Sequence, residues 1–90
     1  MQKKILIIEN EPPIARALVR RLRARGYAPV LAENPDVALT AFDEGRPDLV
    51  IASLTLAHDG GRATCRAIRA RPLGALVPIL FLGSGRETIN

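Results

Sequence analysis

One cysteine, Cys65, and one histidine, His58, are all that the chain offers of the side chains that staple small folds. A single thiol cannot close an internal disulfide, and one cysteine with one histidine cannot assemble a structural zinc site. The fold must stand on packing alone. Tryptophan is absent, and the rings are confined to Tyr27, Phe42 and Phe81, too few and too scattered to form a stacking platform for bases. No apolar run approaches the roughly 18 residues of a membrane span. Lys3 and Lys4 precede one apolar run, but Glu9, Asn10 and Glu11 end it after about five residues, too few for the core of a signal peptide. A cytoplasmic protein without membrane contact is expected.

What is present fits a globular chain. With 90 residues, 48% hydrophobic and 24% charged, it is long enough for one domain or a fragment of one, and every element must serve a single core. Of 13 basic residues eleven are arginine, set against 9 acidic ones, for a net charge of +4. A bias of that kind can follow from genome composition, so it does not establish nucleic-acid binding. The arginines form two groups, Arg16, Arg20, Arg21, Arg23 and Arg25, then Arg62, Arg66 and Arg69. Both read as solvated helix faces that do not merge into one nucleic-acid track.

Two periods alternate along the chain. Lys3 to Ile8 is a β-branched apolar run, expected of a strand buried on both sheet faces. Asn10 is placed to cap a helix over about 12–25, with Pro12 and Pro13 in its first turn, an apolar stripe of Ile14, Ala17, Leu18 and Leu22, and Gly26 as its stop. A second strand over 27–32 contains Pro29, which assigns it to a sheet edge. Asn34 and Pro35 repeat the cap-then-proline pattern for a helix over 35–44 closed by Gly45. A third strand covers 48–53, a third helix 62–70 with Cys65 and Ile68 inward, and a fourth strand 77–82. Short connections between strands and helices in this order predict right-handed crossovers and a parallel sheet covered on both faces. Sites in such sheets form outside the carboxyl ends of the strands, here Glu9 to Glu11, Glu33, Ser53 to His58, and Gly83 to Gly85.

Those strand ends carry a pattern. Lys4-Ile5-Leu6-Ile7-Ile8-Glu9-Asn10-Glu11-Pro12, Arg46-Pro47-Asp48-Leu49-Val50-Ile51-Ala52-Ser53-Leu54, Gly61 before Cys65-Arg66, and Val77-Pro78-Ile79-Leu80-Phe81-Leu82 together resemble the receiver domain of two-component response regulators, from about residue 3 to residue 85. The resemblance implies a three-layer α/β, flavodoxin-like fold, here with parallel strands in the order 2-1-3-4 and without the family's fifth strand and helix. It implies a phosphorelay signalling module rather than an enzyme. It also implies a phosphorylation pocket, from which this sequence departs. Glu9 keeps the first acidic position after strand one, but Asn10 stands where a metal-ligating acid belongs. Ser53 takes the place of the phosphoacceptor aspartate, and Gly83 that of the switch hydroxyl, with Ser84 one position late. One carboxylate replaces three, so Mg²⁺ binding is expected to be weak or absent and Glu9 is the sole candidate ligand. Ser53 would need a base to activate it, and His58 in the following loop is read as an ordinary surface residue.

The bland readings are preferred: Asn10 as a helix cap, Ser53 as a small polar strand end, Cys65 as a core residue, and Gly83-Ser84-Gly85 as a flexible loop instead of an anion cradle. The expected function is phosphorylation-independent interaction with a protein partner. Its alternatives are a noncanonical phosphorylation switch through Ser53 or Ser84 and, behind it, a basic nucleic-acid-binding module. Without a fifth strand the edge at Val77 to Leu82 would be open, to be covered by further chain, a second copy or strand addition from a partner. Arg16, Arg20, Arg23, Val77, Ile79 and Phe81 are the expected interaction surface.

Overall fold

The structure is a computed structural model and describes residues 2–53 and 61–83. Its elements are β1 (Lys4–Ile8), α1 (Pro12–Ala24), β2 (Ala28–Ala32), α2 (Pro35–Gly45), β3 (Leu49–Ser53), α3 (Arg62–Arg69) and β4 (Ile79–Leu82). The four strands form one parallel sheet in the order β2-β1-β3-β4, the flavodoxin-like arrangement. β1 is central: Ile5 pairs with Pro29 on one side and Leu49 on the other, and Ile8 with Ala32 and Ala52. Pro29 sits on the edge strand, where its missing N–H breaks no interior ladder.

Strand alternation divides the core in two. Leu6, Ile8, Val50 and Ala52 pack with Ala38 and Phe42 of α2 and with Cys65 and Ile68 of α3. Ile5, Ile7 and Ile51 pack on the opposite face against Leu18, Val19 and Leu22 of α1. The buried face of α1 is thus Ala15, Leu18, Val19 and Leu22; Ile14, expected in that stripe, is exposed in the first turn.

The two Pro-led helices start differently. Asn34 is the N-cap of α2, its side-chain oxygen accepting from the Val37 N–H at 2.9 Å. Asn10 does not cap α1. The N-cap is Glu11, in extended backbone and without a side-chain bond; a cap at Asn10 would need the N–H of residue 12 or 13, and both are proline, while the Asn10 and Glu11 N–H groups donate to Glu9. At the other end of α2, Gly45 is still helical and Arg46 carries the left-handed conformation, φ 47°. Gly26, at φ 87°, serves as expected after α1.

Between α3 and β4 the chain turns tightly. A Cβ on Gly74 would lie 1.7 Å from the Ile68 carbonyl oxygen. Arg69, expected on a solvated face, instead donates from Nη1 to the carbonyls of Gly74 at 3.1 Å, Ala75 at 3.3 Å and Val77. That clamp delivers Val77 into the core, where it is 7% exposed. Val77 therefore does not belong to an interaction surface, and Ile79 is half-buried against the same cluster. The exposed apolar residues of β4 are Leu80 and Phe81, which alternation places on opposite faces of the sheet.

Two stability outcomes follow from these turns. Gly74→Ala should destabilise the fold by about 2–3 kcal/mol or more in denaturant unfolding, since the added methyl meets backbone that cannot rotate away. Arg46→Gly should stabilise it by about 0.5–1 kcal/mol, by relieving a left-handed residue that has a Cβ. A neutral effect of the first, or a lowered midpoint for the second, would contradict the backbone geometry.

Candidate functional site

Chain direction decides where a site can form. α1 connects β1 to β2 across one face and α2 connects β2 to β3 across the other, so a crevice opens beyond the carboxyl ends of β1 and β3. Ile8 is opposite Ala52 in the ladder, which brings the next residues, Glu9 and Ser53, to the same level. Ser53 is also opposite Leu82, so Gly83 follows one step beyond. The expected pocket residues Glu9, Asn10, Ser53 and Gly83 thus meet at one end of the sheet. Ser84 and His58 lie outside the described residues.

Glu9 is the best-fixed member. It is 2% exposed, its N–H donates to the Ala32 carbonyl at 3.1 Å, and its Oε2 accepts from the N–H groups of Asn10 at 2.9 Å and Glu11 at 3.0 Å. A buried carboxylate is tolerable only when hydrogen bonds replace its lost water. Here the turn itself supplies them. Asn10 is exposed, whereas Ser53 is 4% exposed beneath the crevice.

Two further residues join from the α1 side. Glu9, Asn10, Pro12 and Ala15 share a shallow depression with Leu31, Arg16 and Glu33. Glu33 was legible as the residue after β2. Arg16 was read from the sequence as part of a solvated face and of the expected interaction surface, not as a neighbour of the pocket; its place at the depression follows from Pro12 and Pro13, which fix where α1 begins and hence which side chain its second turn presents. The local charge is therefore mixed, a guanidinium beside carboxylates. Among the described residues no group of three or more His, Cys, Asp or Glu side chains could hold a metal ion.

Comparison with known proteins agrees with this architecture. A family model described as the response regulator receiver domain matches residues 5–89. The DNA-binding response regulator MtrA of Mycolicibacterium smegmatis is 34% identical over 90 residues, all of this chain and 38% of that protein. The transcriptional regulatory protein BaeR of Escherichia coli O6:H1 is 39% identical over 87 residues, 97% of this chain and 35% of that protein. The chain thus spans little more than a third of the length of these relatives. Among solved structures, a putative response regulator from Chloroflexus aurantiacus superposes with a TM-score of 0.82 at 28% identity, over 90% of this chain and 66% of that one. The receiver domain of sensor histidine kinase PA1611 from Pseudomonas aeruginosa, which carries a magnesium ion coordinated in its active-site cleft, also gives 0.82, at 27% identity and with the same coverage. Among the described residues, no helix is long and apolar enough to cross a membrane. The matched family model, the sheet order and these relatives together assign the chain to the receiver domains of two-component response regulators.

Proposed function

We propose that this receiver domain has lost aspartyl phosphorylation and signals through phosphorylation-independent contact with a protein partner. The observation that carries the reading is Ser53, which ends β3 at the position where the resemblance expects the phosphoacceptor aspartate. A serine hydroxyl is not ionised at neutral pH and needs a base to attack phosphorus, whereas a carboxylate does not. Its 4% exposure further limits the approach of a phosphodonor.

The surroundings support the same conclusion. Mg²⁺ demands near-octahedral oxygen ligands and gives up its waters reluctantly. Glu9, Asn10 and Ser53 offer one carboxylate, a carboxamide and a hydroxyl, and the Oε2 of that carboxylate already accepts two main-chain bonds. Arg16, lining the adjoining depression, adds positive charge where a cation would have to bind. Glu33 alone does not restore the lost ligand set. The donors present do not fit the metal, and no phosphoryl-transfer step is assigned to this chain. The opposing reading, a switch through Ser53 or Ser84, would need a base to activate a hydroxyl.

Two outcomes test the proposal. Incubation with acetyl phosphate and Mg²⁺ should add no phosphoryl mass, and Ser53→Asp alone should remain poorly labelled, since Asn10 and Gly83 still leave the metal and the phosphoryl group unsupported. Efficient labelling of the wild-type chain, or of that single variant, would overturn the proposal. In ¹⁵N–¹H correlation spectra, Mg²⁺ with beryllofluoride, a mimic of the acyl phosphate, should leave the resonances of Glu9, Asn10 and Ser53 in place. Localised, saturable shifts there would instead revive the switch.

A further inference from the structure

Arg16, Arg20 and Arg23 occupy positions i, i+4 and i+7 of α1, and all three are exposed. That spacing sets them in one stripe along the helix. The stripe overhangs the edge strand β2, and with Val19, Pro29 and Leu31 the three arginines line a single groove. α1 contains no Asp or Glu, and among the described residues none of the three arginines has an ion-pair partner. Like charges at this spacing repel, each pair costing about 0.2–0.5 kcal/mol. An anionic occupant would turn that cost into attraction.

The groove floor narrows the choice of occupant. Val19, Pro29 and Leu31 are apolar and only half-buried, so they reward side chains that bring apolar surface as well as charge. No aromatic ring lines the groove, and a phosphate backbone would leave its floor uncovered. Strand addition is obstructed too. The Ala28 N–H donates to the Lys3 carbonyl, and the Ala32 carbonyl accepts from the Glu9 N–H. These even-numbered residues thus face β1, and Pro29 and Leu31 turn their main chain outward. Pro29 has no N–H to offer there. Recognition must therefore run through side chains. The stripe from Arg16 to Arg23 is about 10 Å long at 1.5 Å per residue, the length of two helical turns.

We propose that the groove between α1 and β2 docks an acidic amphipathic helix of a partner protein, with carboxylates on Arg16, Arg20 and Arg23 and apolar side chains on Val19, Pro29 and Leu31. This names a partner class for the interaction module proposed above and rests on that reading for its signalling role.

The test titrates the ¹⁵N-labelled 90-residue chain, at low ionic strength, with a synthetic peptide of about 18 residues, long enough to form a helix, with glutamates on one face and leucines on the other. Shifts should concentrate on Val19, Arg20, Arg23 and Leu31 and weaken as salt is added. Arg20→Glu with Arg23→Glu should reduce the affinity at least about tenfold, and the corresponding pair of glutamines should fall between; both pairs lie on the exposed side of α1. Absence of saturable shifts would overturn the proposal. So would equal binding of a scrambled peptide of the same composition or of an oligothymidylate, since either would mean attraction to polyanions in general. Beryllofluoride added to the same sample separates the two readings. A responding pocket with the groove still binding would remove only the phosphorylation-independent role, and a silent pocket with no peptide binding would remove only the groove.

Discussion

Everything in this fold is registered on β1. Its four apolar residues, Ile5 to Ile8, are at most 3% exposed, and the strand is hydrogen-bonded on both sides. Burying each such side chain contributes about 1.5–3 kcal/mol relative to leaving it in water, and β1 does so alternately toward α1 and toward α2 and α3. A slip of one residue would exchange those faces. Because β1 ends at Ile8, the register also fixes that Glu9 emerges level with Ser53, so the constraint that builds the core places the pocket. The start of β1 is secured as well: the Lys4 N–H donates to the Asp48 carboxylate at 2.8 Å, and the Asp48 N–H returns a bond to the Lys4 carbonyl.

The pocket retains structural order where the phosphorylation chemistry is proposed to be lost. Glu9 is held by main-chain donors from the turn that leads into α1, so its conformation does not depend on a bound cation. In a pocket built to bind Mg²⁺, several carboxylates repel one another until the ion arrives. On the reading proposed above, Asn10 and Ser53 at two of those positions remove the repulsion and let the end of the sheet pack without a ligand. On that reading the pocket serves folding and the surface serves contact with a partner. Such a division would leave the outer face of α1 as the part of this end of the molecule that faces a partner.

The features legible in the sequence were those set by local backbone chemistry and periodicity. Alternating strands and helices gave the parallel sheet, the family resemblance implied its order, Pro29 identified an edge strand, and Asn34 with Pro35 identified a helix start. The misreadings arose where a local pattern lacked a donor or had a tertiary competitor. Asn34 accepts from the Val37 N–H three residues on, but the residue three beyond Asn10 is Pro13, which has no N–H to offer a cap. Gly45 looked like the helix stop, yet the left-handed position fell on Arg46. Val77 read as strand edge, although Arg69 draws its carbonyl inward and its side chain joins the core. No short-range pattern encodes a guanidinium reaching eight residues ahead. Arg16 was visible as a charge, but its neighbours Glu9 and Glu33 come from two other elements.

β4 shows what an outer strand can demand of its surroundings. Its backbone pairs with β3 alone among the described residues, while Leu80 and Phe81, 56% and 43% exposed, project from opposite faces. A partner supplying only a strand would satisfy the backbone groups and leave both side chains in water. The β2 edge is different, because Pro29 blunts its ladder and α1 roofs one face. The β2 edge therefore suits the side-chain-mediated, charge-dependent encounter proposed above. Charge-dependent contacts also associate quickly and weaken with salt, properties that suit a signalling contact made and broken repeatedly.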